Sequence, residues 1–181
     1  MLRCILGERK SGKSVFAEEQ IKKKEGSTLY VATLPNLSIY EEVIARHQKR
    51  RPGFWRCIEL FNMSAREIAA FPYTDYRYVV IDNLSYYVLF QRYYNGDVFL
   101  QEWDERFLSL IHKLAADSNT MVYAVDAPVE GGILEHIDKE KIICRLFSKI
   151  LDESQIIERF YYGGTVCRLT AEEGKDYLFR T

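Results

Sequence analysis

Residues 7–14 read Gly7-Glu8-Arg9-Lys10-Ser11-Gly12-Lys13-Ser14, which fits the spacing G-x-x-x-x-G-K-[ST]. The residue types follow from what a polyphosphate needs. Glycine lets the backbone turn its N–H groups inward around phosphate oxygens. A helix beginning at the end of the loop aims its positive end at the same anion. Lys13 is spaced to reach the terminal phosphates, and the Ser14 hydroxyl to ligate Mg2+. The flanks supply the expected context. Leu2–Leu6 (LRCIL) reads as a short buried strand, and Val15–Lys24 as an amphipathic helix with Phe16, Ala17 and Ile21 inward. The alternative is a glycine-rich turn with an exposed lysine. All eight residues of the loop are candidate nucleotide-binding positions.

Outward from the loop, strand and helix patterns alternate. Thr28–Thr33 (TLYVAT), Arg56–Leu60, Tyr78–Asp82 (YVVID) and Thr120–Asp126 (TMVYAVD) read as strands. Ile39–Arg51 has helical periodicity, with Ile39, Val43 and Ile44 on one face, and Pro52-Gly53 stops it. Ser64-Ala-Arg-Glu67 is a capping-box pattern that opens a helix to Ala70. Three more helices are expected. Ser85–Tyr94 is broken by Asn95-Gly96. Leu100–Asp117 carries Trp103, Phe107, Leu110, Ile111 and Leu114 as its apolar stripe. Asp138–Leu151 has Ile142, Cys144, Leu146, Phe147 and Ile150 inward. Ile156–Tyr162, Gly163-Gly164 and Val166–Leu169 read as a final hairpin. This order predicts an α/β fold of the P-loop NTPase type: a mostly parallel open sheet, helices on both faces and a small antiparallel C-terminal hairpin. One nucleotide-binding domain over residues 1–181 suits the length.

Composition narrows the function. Lys+Arg is 25 against Asp+Glu 26, so the net charge is -1, and a dedicated nucleic-acid binder would show a basic excess. No apolar run approaches the roughly 18 residues of a transmembrane span, and Met1–Leu6 is too short for a signal-peptide core, so a cytoplasmic protein is expected. Cys4, Cys57, Cys144 and Cys167 are widely separated with no C-x-x-C pair; each is expected as a small buried side chain rather than in a disulfide or zinc site. Of the 13 tyrosines, Tyr86, Tyr87, Tyr93 and Tyr94 cluster, with packing into core and surface favoured over a ligand or subunit contact.

Two further positions invite chemistry. Asp82 ends the most apolar strand, where an ionised carboxylate at the C-terminal tip can face a nucleotide crevice and hold the metal with Ser14; capping of the next turn is the alternative. Asp126 ends another strand, with Ala127-Pro128 behind it making turn initiation an equal account. His47 stands beside Arg46, Lys49, Arg50 and Arg51. A solvated basic face is the ordinary reading. Arginine forks also match phosphate oxygens, and neighbouring cations keep an imidazole neutral, able to attack phosphorus. His112 reads as a surface residue, and His136 receives no role.

Beyond residue chemistry, a set of segments resembles the adenosylcobinamide kinase / adenosylcobinamide-phosphate guanylyltransferase family. They are the loop with Ala17-Glu18, Tyr30-Val-Ala-Thr33, Ile44-Ala-Arg-His47 with Arg51-Pro52, Trp55-Arg56, Glu59, and Val80-Ile-Asp82-Asn-Leu84-Ser85. The resemblance implies two reactions in cobalamin salvage and assembly. The first phosphorylates the aminopropanol hydroxyl of adenosylcobinamide with ATP or GTP. The second transfers GMP from GTP to that phosphate, through a guanylylated histidine that by position is His47. It also implies Lys13 and Ser14 on the donor phosphates, Arg51 among the nucleotide contacts, Mg2+, corrinoid substrates and a homotrimer. The second half departs from the pattern. Where the family carries Asn-Glu-Val-Gly-x-Gly, this chain reads Asp126-Ala-Pro-Val-Glu130-Gly-Gly132; Arg145-x-Phe147 resembles a family R-x-F. A P-loop small-molecule kinase with another acceptor, and a non-catalytic nucleotide-binding relative, therefore stay open as alternatives.

Overall fold

Five strands come first in the chain, and all but the third are buried at nearly every position. They are β1 (Leu2–Leu6), β2 (Thr28–Ala32), β3 (Arg56–Glu59), β4 (Tyr78–Asp82) and β5 (Met121–Asp126). β4 is buried at every position, as a strand covered on both faces must be. β6 (Ile156–Phe160) and β7 (Val166–Leu169) complete one seven-stranded sheet of order β3-β2-β4-β5-β1-β6-β7. Every neighbouring pair is parallel except β6 and β7. The computed structural model describes residues 1–83, 87, 109–127 and 147–178.

The two-residue period of a strand sends alternate side chains to opposite cores. On one face Leu2, Leu29, Val79, Ile81 and Val122 meet Ile111 and Leu114 of helical residues 109–116 (α4) and Ile150 and Leu151 of helical residues 147–153 (α5). On the other, Ile5, Tyr30, Val80, Tyr123 and Val125 meet Ala17 and Ile21 of α1 (Lys13–Lys22), with Trp55. Each fully buried aliphatic side chain here contributes about 1.5–3 kcal/mol of transfer free energy.

The strands, the capping box and the hairpin stand where the sequence puts them. Ser64 accepts from the Glu67 N–H while the Glu67 carboxylate accepts from the Ser64 N–H, opening α3 (Ala65–Ala70). The hairpin turn closes with Tyr161 N–H to Thr165 O at 2.9 Å and Gly164 N–H to Tyr161 O at 3.1 Å. Three expectations need correction. The chain does not finish at the hairpin: Thr170 caps a further helix, α6 (Ala171–Leu178), by pairing with Glu173. Cys4 is buried, but Cys57 is exposed and Cys167 half-buried, because β3 is an edge strand and β7 the opposite edge. Helix α2 (Glu41–Arg50) buries no residue at all, and Ile39 ahead of it is 74% exposed. Its apolar positions are too few to hold it, and polar contacts described below do so instead. The expected helices over 85–94, 100–108 and 138–146, with Tyr86, Tyr93, Tyr94, Cys144, Arg145 and His136, lie outside the described residues, as does the segment 128–132. Tyr87 is buried, and His112 is exposed and pairs with Glu153 at 3.0 Å.

Candidate active site

The loop of residues 7–14 leaves the C-terminal end of β1, between β5 and β6, and enters α1. Its closure explains its glycines. Gly12 has φ 103°, a left-handed conformation open to glycine at little cost. A Cβ on Gly7 would lie 2.8 Å from Phe160 O and 2.9 Å from Ser11 Oγ. The Gly7 N–H donates to Asp126 O at 3.1 Å, fixing the loop's first residue to the tip of β5. The C-terminal elements brace the other side. Tyr177 of α6 donates to Glu8 Oε1 at 2.9 Å, and Tyr162 donates to the Arg9 carbonyl. The side chains of Arg9 and Lys10 face solvent.

Within the loop Lys13 is buried, 6% exposed, and its Nζ donates to Glu8 O at 3.1 Å. Burial lowers its pKa from the ordinary lysine value, and the carboxylates of Asp82, Asp126 and Glu8 oppose that shift. Ser11 Oγ is buried with no hydrogen-bond partner, and Ser14 is half-buried in the first turn of α1.

Asp82 and Asp126 occupy the C-terminal tips of adjacent strands, the end at which open α/β sheets bind ligands. Asp82 Oδ2 accepts the Tyr30 hydroxyl at 2.6 Å. Asp126 Oδ1 accepts from Ala127 N–H at 2.7 Å and its charge also reaches Lys13, while the turn expected from Pro128 onward lies outside the described residues. Thr33 Oγ1 pairs with both the N–H and the carbonyl of Asn83, tying the tip of β4 to β2.

The histidine helix docks on this same corner. His47 Nδ1 lies 3.7 Å from Asp82 Oδ2, 3.5 Å from the Tyr30 hydroxyl and 3.4 Å from Arg50 Nη2. Arg50 forks onto Glu18 of α1 with bonds of 3.1 and 2.9 Å. The Arg51 guanidinium stacks 3.4 Å from the centroid of the Tyr30 ring, and its buried Nε has no hydrogen-bond partner among the described residues. Burial holds the His47 pKa below the ordinary histidine value, Arg50 and Arg51 add to that, and Asp82 and Glu18 oppose it. Burial, with Asp82 beside it, raises Tyr30 well above the tyrosine range.

The Asp82 carboxylate, 3.7 Å from His47, thus also exerts its charge on Lys13, which is distant from His47 in sequence. Arg51 joins the same corner. Sequence reasoning misses Tyr30, Glu18 and Arg50 as parts of it. Glu18 does leave a signal, because Ser14, Ala17, Glu18 and Ile21 form an i, i+3, i+4, i+7 stripe with a charge at an inward position.

The oxygen donors present, Ser14 with Asp82 and Asp126 nearby, are of the hard type Mg2+ prefers. Among the described residues no group of three or more His, Cys, Asp or Glu could hold a metal alone. That suits Mg2+, which is usually held by one or two protein oxygens together with substrate phosphates.

No curated protein matches the chain. A family model described as cobinamide kinase / cobinamide phosphate guanyltransferase matches residues 3–154.

Proposed function

The chain belongs to the cobinamide kinase / cobinamide phosphate guanyltransferase family, and from that premise we propose that its loop and its histidine helix serve two successive reactions, each consuming its own nucleoside triphosphate. Membership makes it a transferase of cobalamin biosynthesis that acts on cobinamide and draws on a nucleotide donor. The finer reading is bifunctional. In the kinase step the aminopropanol hydroxyl of adenosylcobinamide attacks the γ-phosphorus of ATP or GTP, and the nucleoside diphosphate leaves. In the second step His47 attacks the α-phosphorus of GTP, an N–P bond forms and pyrophosphate leaves. The adenosylcobinamide phosphate then displaces the imidazole and takes GMP. A phosphoramidate keeps transfer potential while dividing one displacement into two.

The observation that carries this reading is the corner at the tip of β4: His47 Nδ1 lies 3.7 Å from Asp82 Oδ2, and the Asp82 charge acts on Lys13 of the loop. Lys13 and the loop N–H groups, Gly7 to Ser14, would hold the donor phosphates. Arg51, whose buried Nε has no partner among the described residues, has a donor to spare for phosphate oxygens. Ser14 and Asp82 would hold Mg2+, which when bound supplies charge neutralisation on the transferring and leaving phosphates. Burial and the two arginines favour a neutral His47, the form that can attack.

Incubation with α-labelled GTP tests the reading. Wild type should acquire acid-labile label, and His47→Ala should lose it while still binding nucleotide. A folded, nucleotide-binding wild type that stays unlabelled rejects guanylyl transfer. The segment Asp126-Ala-Pro-Val-Glu130-Gly-Gly132, which replaces the family's Asn-Glu pair, favours a second reading, a kinase with another acceptor. Turnover of a different alcohol with none of cobinamide would select it. All seven strands belong to one sheet, which supports residues 1–181 as one nucleotide-binding domain. We propose that it works in the cytoplasm as the homotrimer its family resemblance implies.

A further inference from the structure

The Tyr30 hydroxyl, Asp82 Oδ2 and His47 Nδ1 form a triangle with sides of 2.6, 3.5 and 3.7 Å, and the hydrogen-bond polarity of the hydroxyl is fixed. A phenol has one proton to give. Tyr30 gives it to Asp82 Oδ2 at 2.6 Å, within a residue only 1% exposed. Its oxygen can therefore only accept from His47 Nδ1, 3.5 Å away. Asp82 Oδ2, at 3.7 Å from the same nitrogen, is an acceptor as well. Among the described residues Arg50 Nη2, at 3.4 Å, is the donor that approaches Nδ1; one of its two protons goes to Glu18 Oε1 at 2.9 Å, and two acceptors, Tyr30 and Asp82, face the same nitrogen. The Arg51 guanidinium, stacked 3.4 Å from the ring centroid, pins the phenol from its face.

We propose that Tyr30 is the positioning residue that keeps the imidazole proton on Nδ1 and so leaves Nε2 as the atom that takes the nucleotidyl group. The inference rests on the nucleotidyl-transfer reading above and adds its reacting atom and the group that selects it. The Nε2 lone pair attacks the α-phosphorus. The N–P bond forms as the bond from phosphorus to the bridging oxygen breaks, and pyrophosphate leaves with that electron pair. The ring keeps its Nδ1 proton throughout, directed at the Tyr30 oxygen. The positive charge that develops on the ring is answered by Asp82 through the Tyr30 hydroxyl. When the acceptor phosphate attacks, the N–P electron pair returns to Nε2 and no proton has moved.

Two measurements test it. In the wild-type chain labelled with 15N-histidine, and at roughly two pH units above the ordinary histidine pKa, the His47 ring should show its proton on Nδ1. The free side chain favours Nε2, and His47→Ala assigns the signal among the three histidines. A proton found on Nε2 would mean that Arg50 donates to Nδ1, and overturns the inference without any variant that must fold. Tyr30→Phe should then lose the Nδ1 signature. Its rate of labelling from α-labelled GTP should drop on the order of tenfold or more, with GTP affinity within about twofold of wild type, since the phosphate contacts are untouched. An unchanged labelling rate in Tyr30→Phe overturns the role of Tyr30 alone. A wild type that takes no label overturns the transfer reading and this inference with it.

Discussion

Lys13 and His47 show how differently two candidate site residues announce themselves. Lys13 is legible because its motif is local: glycine, lysine and serine at fixed offsets do one job wherever a strand enters a helix. Its side chain folds back onto Glu8 O at 3.1 Å, a contact that a phosphate group would replace. Lys13→Ala should therefore weaken GTP binding by about 1.5–3 kcal/mol, the loss of one charged hydrogen bond, when measured by titration calorimetry. Its folding free energy in urea should change little, because no other hydrogen bond depends on that Nζ. His47 has no such local grammar. Its neighbours Arg46, Lys49, Arg50 and Arg51 look alike in sequence. Only the docked helix separates Arg50, which forks onto Glu18, from Arg51, which stacks on Tyr30.

Among the elements, α2 is the one whose sequence pattern misleads. Val43 and Ile44 share a face, yet neither is buried, and the helix is attached through His47, Arg50 and Arg51. The Arg50–Glu18 fork is its strongest tie, since the Glu18 side chain is fully buried. Arg50→Ala leaves that carboxylate without its cation and should cost about 3 kcal/mol in urea unfolding. The amides of α2 should also exchange faster, and unchanged exchange over residues 41–50 would show the helix is held by something else. The contrast is α3, whose capping box depends on four consecutive residues. Ser64→Ala should cost about 1 kcal/mol and leave transferase turnover at wild-type level, because the Ser64 side chain pairs with Glu67 of its own helix.

At the scale of the molecule, the phosphate loop is shaped from both ends of the chain. β6 runs parallel to β1 and brings Phe160 against Gly7 and Gly12, while Tyr162 and Tyr177 hold Glu8 and Arg9. Gly7→Ala should abolish GTP binding, since its Cβ meets the backbone of a paired strand 2.8 Å away. In wild type, GTP at about a hundred times its dissociation constant should add about 2.7 kcal/mol of stability, seen as a rise in melting temperature that Gly7→Ala lacks. The sequence by itself determined the phosphate loop, the first five strands, the parallel sheet with its antiparallel edge and the capping box. All of these follow from spacing, period and turn chemistry within a few residues. Tertiary structure alone decided that α2 would be held by charge instead of apolar packing, that Glu18 would be its anchor, and that Tyr30, Asp82 and His47 would meet at one corner. Those contacts join residues 17 to 52 positions apart. They exist only because the register of β2 against β4 sets Ala32 beside Asp82 and turns Tyr30 to the same face.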